Sequence, residues 1–279
     1  MPETGNKPYH PLSLSIRIHA DGFSFFVCDL QTSSLLRGEH FRRSDSESTA
    51  RQLVQELSRP DYFNRQIDQC YVLVCSPSTH VPLEAFHRDE AATLYNFTFS
   101  GQDMSQLRVA YNILPLLECA EIYALPLDIE EAILQFYPTA RFFASRAILM
   151  ERLLSCEDDR NKQEADSRRL YAVSEAEGYS FYAFDERRLR FANTFTAPAP
   201  ADALYFALNI WQQLDMDALR DRLVIVAPQG ERDEQLEKLL KPYLMHVGKL
   251  QTTELFPRVP LAREKQVPVD LMALLLNRI

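Results

Sequence analysis

The side chains that could do chemistry in this sequence are serines, histidines, carboxylates and cysteines, and their spacing decides which chemistries are open. A serine hydrolase of the Gly-x-Ser-x-Gly kind needs its nucleophile on a sharp strand-to-helix turn, and Ser24, Ser76 and Ser78 lie in no such motif. The sequence has no P-loop and no Gly-x-Gly-x-x-Gly. His80 and His87 stand seven residues apart, with Arg88, Asp89 and Glu90 beside the second, which is no zinc-ligand spacing; a surface helix accounts for them. Asp128, Glu130 and Glu131 could make an acid–base pair, but acidic residues at the start of a helix over 129–136 are what the helix dipole and an N-cap favour. Cys28, Cys70, Cys75, Cys119 and Cys156 are odd in number, form no Cys-x-x-Cys pair and mostly sit in apolar runs, as small buried thiols do in a reducing compartment. No residue emerges as catalytic, and no set as a metal site.

One pattern of polar residues occurs twice. Asp21-Gly22-Phe23-Ser24 and Glu177-Gly178-Tyr179-Ser180 are the centres of two stretches, Leu14 to Asp29 and Leu170 to Asp185, that align without gaps at an offset of 170 − 14 = 156. Six of the aligned pairs are identical, among them Gly22/Gly178, Ser24/Ser180 and Phe25/Phe181. In each copy an extended segment meets an acidic-Gly turn and then an aromatic-rich segment, the local signal of a β-hairpin.

The elements around these turns repeat as well. A third strand follows in each copy, Leu35 to Phe41 and Leu189 to Phe195. Next comes a helix: Ser44 and Glu47 have capping-box spacing ahead of Leu53, Val54 and Leu57, and Asp202 follows a proline-rich entry ahead of Leu204, Leu208, Trp211 and Leu214. Each helix leads to a continuous apolar strand, Tyr71 to Cys75 and Leu223 to Ala227, of the type covered by helices on both faces. The charged stretch Ser155 to Arg169 reads as a solvated linker, and Pro268 starts a last helix over 269–279 that packs on a sheet. The expected organisation is therefore an N-terminal lobe over 1–155, a linker over 156–169 and a C-terminal lobe over 170–279.

A chain of 279 residues with 46% hydrophobic and 25% charged residues is long enough for two ordinary domains and is not compositionally disordered. The net charge of −9 and the scattered basic pairs, Arg42-Arg43 and Arg187-Arg188, argue against nucleic acid as a partner. Met1 to Tyr9 lacks the basic-then-apolar pattern of a secretory signal, and no segment approaches the ~18 apolar residues of a membrane helix, so the expected location is cytoplasmic with no direct membrane insertion.

A duplicated hairpin, third strand, helix, strand order resembles tandem ribonuclease-H-like lobes, the α/β architecture of actin-like ATPases, with mixed five-stranded sheets flanked by helices. A closer resemblance is to an uncharacterised bacterial family, a domain of unknown function found in Bacteroidetes with an actin-like ATPase fold. It rests on Leu14-Ser15-Ile16-Arg17-Ile18 with Asp21-Gly22-Phe23-Ser24, on Val81 to Phe86, on Leu189 to Phe195, on Asp202 and Tyr205, and on Trp211 to Asp215. That family carries no assigned activity.

The superfamily resemblance implies nucleotide phosphates held between the two hairpin turns, which makes Asp21, Gly22, Ser24, Glu177, Gly178 and Ser180 the candidate cleft positions. Glycine suits such turns because it lets backbone N–H groups approach closely and tolerates positive φ. Here the Asp-x-Gly spacing is contracted, bulky Phe23 and Tyr179 follow the glycines, a Gly-Gly pair for the adenosine side is missing, and the whole chain has only 7 glycines. Two readings stand. In the first, the protein is a degenerate, non-catalytic actin-like scaffold that binds another protein or itself, as actin-like components of type IV pilus and type II secretion systems do; Tyr62, Phe63, Tyr95, Phe97, Phe99, Phe142 and Phe143 are its candidate anchors. In the alternative it is an ATP-binding enzyme of the actin and sugar-kinase kind using Mg-ATP, with Asp21 and Glu177 as ligands of metal-bound water and Ser24 and Ser180 near the phosphates.

Overall fold

The computed structural model describes residues 10–59, 66–161, 167–175, 177–185, 188–228 and 230–276, with the side chains of 157–161 left aside. In the first part of the chain β1 (Leu12–His19), β2 (Gly22–Asp29) and β3 (Ser34–Arg42) form an antiparallel meander. After α1 (Thr49–Leu57), β4 (Gln69–Val74) joins β1 in parallel. Then come β5 (Ser78–Pro82), α2 (Ala91–Thr98), β6 (Leu107–Leu114), β7 (Cys119–Pro126), α3 (Leu127–Phe136), β8 (Arg141–Ala144) and α4 (Ser145–Asn161). The second part repeats the plan with β9 (Arg169–Glu175), β10 (Gly178–Asp185), β11 (Arg188–Thr196), α5 (Pro200–Gln213), β12 (Arg222–Val226), α6 (Glu231–Leu240) and β13 (His246–Leu250). The chain closes with α7 (Thr252–Leu255) and α8 (Val269–Leu276).

The two large sheets have the same strand order, β3-β2-β1-β4-β8 and β11-β10-β9-β12-β13, with the last three strands of each mutually parallel. The repetition of hairpin, third strand, helix and buried strand along the chain is the one expected from the sequence; the order of strands across each sheet is what the fold adds. The physical cause is the same in both copies. β1, β2 and β4 are buried on nearly every residue, and so are β9, β10 and β12, so both faces of each sheet must be covered. In the second sheet Leu170, Tyr179, Phe181, Leu223 and Ile225 meet Ala203, Ala207 and Trp211 of α5 and Leu236 and Leu240 of α6.

The copies differ by an insertion. β12 is followed at once by α6, whereas between β4 and α3 the first copy carries a separate antiparallel sheet, ordered β5-β7-β6. Its outer face packs on α2 through Ile122, Ala124, Ala91 and Tyr95, a small core of its own.

Three sequence expectations are corrected. The cap of α1 is Ser48, whose side chain accepts from the Arg51 N–H; Ser44, four residues earlier, instead donates its N–H to Gln52. The linker expected over 156–169 is helical as far as Asn161, its residues 162–166 lie outside the described residues, and Arg168 is tied by its N–H to Asp221 at 2.8 Å. The lobes are not contiguous either. The first compact unit draws on the chain up to Leu114, on Cys119–Leu149 and on the stretch from Val259; the second comprises Pro115–Glu118 and Met150–Arg258. Residues 259–276 thus leave the C-terminal lobe to which 170–279 was assigned. α8 is apolar over almost its whole length and buried from Val269 to Leu275, so it needs cover on every side. Within the first unit its Asp270 accepts from Arg17 Nε at 2.8 Å.

Candidate functional site

The first hairpin turn is built by the register that pairs His19 with Gly22, leaving Ala20 and Asp21 as a two-residue loop. Gly22 has φ 145°, and a Cβ placed on it would lie 2.0 Å from the Phe41 carbonyl oxygen of β3. The glycine is therefore required by the approach of the neighbouring strand. The Asp21 carbonyl accepts from the Arg43 N–H at 2.7 Å, which closes the turn onto the end of β3.

Ser24, 1% exposed, sits at the centre of a polar chain. Asp21 Oδ1 lies 2.5 Å from His19 Nδ1, His19 Nε2 lies 3.3 Å from Ser24 Oγ, and Ser24 Oγ lies 2.7 Å from His40 Nδ1. With Asp21 ionised, His19 donates Nδ1–H to it, and the Ser24 hydroxyl links the His19 and His40 rings. Burial pushes the Asp21 carboxyl up, but the His19 hydrogen bond and charge outweigh it and hold it below its ordinary value. Burial, followed by the charges of His19 and Arg17, holds the His40 imidazole below its ordinary value.

The second turn repeats the packing with different side chains. A Cβ on Gly178 would lie 1.8 Å from the Phe195 carbonyl oxygen, and the Glu177 carbonyl accepts from the Ala197 N–H at 2.9 Å. Ser180 is fully buried and donates to Glu175 Oε1 at 2.8 Å, which leaves its oxygen to accept from the Thr194 hydroxyl at 2.8 Å. Beside it Tyr179 donates its hydroxyl to the buried Asp233 at 2.8 Å, under the Arg232 guanidinium, 4.8 Å from the ring centroid.

The structure thus brings Asp21, Gly22 and Ser24 into one turn and Glu177, Gly178 and Ser180 into the other, and in both the glycine and the serine are engaged internally. Sequence reasoning missed the partners of the serines: His19 and His40 in one copy, Glu175 and Thr194 in the other. His19 and Glu175 share the 156-residue offset (175 − 19 = 156), whereas His40 and Thr194 face the serines across a strand pair whose register only the fold supplies.

A second polar cluster was also missed. Glu121 on β7 is fully buried and accepts from the Ser78 hydroxyl at 2.5 Å; its other oxygen lies 3.6 Å from His80 Nε2, and Arg146 Nε lies 3.6 Å from Oε1. Arg146 also donates to the Ser78 carbonyl at 2.9 Å. His80 is therefore a strand residue directly opposite Glu121 and not part of a surface helix, because β5 pairs with β7 there. Burial raises the Glu121 carboxyl, but His80, Arg146 and Ser78 outweigh it and leave it below its ordinary value. Among the described residues no group of three or more His, Cys, Asp or Glu side chains could hold a metal ion.

Of the aromatic anchors, Tyr62 and Phe63 lie outside the described residues, Tyr95 is buried in the inserted sheet's core with Phe99 against it, and Phe97 is 87% exposed. Four of the five cysteines are buried, and burial pushes the thiols of Cys28 and Cys70 up to about 12, which leaves them unreactive. Among the described residues no helix is long and apolar enough to cross a membrane.

The family model described as protein of unknown function (DUF3822) matches residues 7–247. Among curated proteins none matches this sequence. Among solved structures, a Bacteroides thetaiotaomicron protein with an actin-like ATPase fold and unknown function is 24% identical, with a TM-score of 0.76 over 95% of this chain and 96% of that one. The PilM–PilN type IV pilus biogenesis complex matches at 12% identity and a TM-score of 0.51, over 95% of this chain and 98% of that one. The fold is the actin-like ATPase fold.

Proposed function

Since the chain belongs to the DUF3822 family of proteins of unknown function, we propose that it is a non-catalytic actin-like scaffold that acts by binding protein. The observation that carries this reading is the internal engagement of both hairpin turns. A phosphate cradle needs glycines that leave room for an anion and hydroxyls that point at it. Here the Phe41 and Phe195 carbonyls fill the space a Cβ would take at Gly22 and Gly178, and the hydroxyls of Ser24 and Ser180 are bonded to neighbouring strands. A structural relative solved as the PilM–PilN complex supports the reading by example, since it is a complex of this fold with a second protein.

The test is a thermal melt with and without about 1 mM Mg-ATP. A ligand bound with a dissociation constant of ~10 μM would stabilise the fold by about 2.7 kcal/mol, on the order of 5–10 °C for a chain of this size. The scaffold reading expects no shift. A shift of that size, lost in Asp21→Asn with the fold retained, would instead favour the alternative of an ATP-binding enzyme, for which Asp21 and Glu177 would be ligands of metal-bound water and Ser24 and Ser180 would lie at the phosphates.

A further inference from the structure

We propose that the β3 edge pairs with the same edge of a second copy of this chain about a two-fold axis at Gly38, an inference that rests on the protein-binding reading and names one partner for it. β3 is an outer strand of its sheet. The bond from Arg43 N–H to the Asp21 carbonyl fixes which residues face inward, because bonded and non-bonded pairs alternate along an antiparallel ladder. Counting back from it, Gly38, His40 and Arg42 turn their backbone N–H and C=O groups away from β2. Arg42's carbonyl is taken by Gln52 Nε2 at 3.0 Å, so α1 closes that end of the edge. The groups of Gly38 and His40 have no partner among the described residues. The opposite edge of the sheet is closed in another way: Asn112 accepts from the Ala144 N–H and donates to the Phe142 carbonyl, standing in for a strand beside β8.

An open edge invites a further strand, and charge selects which one. If Gly38 faces Gly38 of the second copy, Arg37 faces Glu39 twice and the exposed Leu36 (48%) faces His40. The two neighbouring registers that keep outward groups opposed set Glu39 against Glu39 or Arg37 against Arg37. Within one chain Arg37 Nε and Glu39 Oε1 are already 2.5 Å apart on one face, so both charges are in position to exchange partners. The β-bulge at Val27/Cys28 ends the regular ladder beyond Arg37, which limits the shared stretch to a few residues.

The experiment is sedimentation equilibrium of the full chain up to about 100 μM, with circular dichroism confirming the fold of each variant. The wild type is expected to dimerise. Arg37→Glu and Glu39→Arg each set like charges opposite one another and are expected to weaken the dimer by roughly tenfold or more, while the double variant Arg37→Glu/Glu39→Arg restores it. A monomeric wild type overturns the proposal. So does a dimer indifferent to both single changes, which would place self-association on another surface and leave the protein-binding reading standing. The ATP melt tests the nucleotide-binding alternative separately.

Discussion

Replacing Gly178 with alanine tests whether the hairpin glycines serve the packing of the sheet. The new Cβ would start 1.8 Å from the Phe195 carbonyl oxygen, where ordinary contact begins at 3.4 Å, so β11 must retreat by about 3.4 − 1.8 = 1.6 Å. A movement of that size breaks the 2.9 Å bond from the Ala197 N–H to the Glu177 carbonyl. Overpacking costs about 1–3 kcal/mol and the lost hydrogen bond about 1 kcal/mol, for a total of roughly 2–4 kcal/mol and a fall in Tm of about 4–16 °C. The assay is thermal unfolding followed by circular dichroism, with Gly248→Ala in β13 as the control. Nothing lies within 4 Å of a Cβ at Gly248, and there the substitution should stabilise by about 0.4–1 kcal/mol through the unfolded chain. If Gly178→Ala melts within about a degree of the wild type, the packing explanation fails and the glycine must be explained by something outside the fold.

Two further outcomes follow from the buried polar groups. Tyr179→Phe keeps the ring under Arg232 but withdraws the hydroxyl from the buried Asp233, and should cost about 1–3 kcal/mol in urea unfolding; the first copy already carries Phe23 at this position, so the shape is tolerated and only the bond is lost. The Glu121 carboxyl is held below its ordinary 4.5 in the folded chain, so the folded state binds its proton less readily than the unfolded one. Its contribution is complete above that ordinary value and is lost as the pH falls through the depressed folded value. Glu121→Gln should therefore flatten the acid limb of a stability profile below about pH 4.5, and an unchanged limb would remove Glu121 from the acid response.

The repeated Asp/Glu-Gly-aromatic-Ser segments were enough to reveal both hairpins, and the strand, helix and buried strand that follow each were enough for the order of elements along the chain; the order of strands across each sheet, and the outer strands β8 and β13, came from the fold. These features rest on local chemistry: acidic-Gly turns, alternating or continuous apolar runs and proline-led helix starts need no distant partner to be read. The six candidate turn residues were legible for the same reason.

What they do there was decided by the tertiary structure. Gly22 and Gly178 read from the sequence as hairpin-turn glycines, but why each must be glycine appears only when β3 and β11 set the carbonyls of Phe41 and Phe195 against them. The partners of Ser24 and Ser180 come from strand register, a relation between residues up to 16 positions apart. Glu121 acquires its burial and its partners only when the inserted sheet and the start of α4 bring Ser78, His80 and Arg146 together. The last helix shows the same limit. Its apolar pattern announces that it must be covered, and it follows the second copy in sequence, yet its place is with the first unit, beside Arg17, 253 positions away. Local pattern sets what a segment needs, and long-range packing sets which surface meets that need.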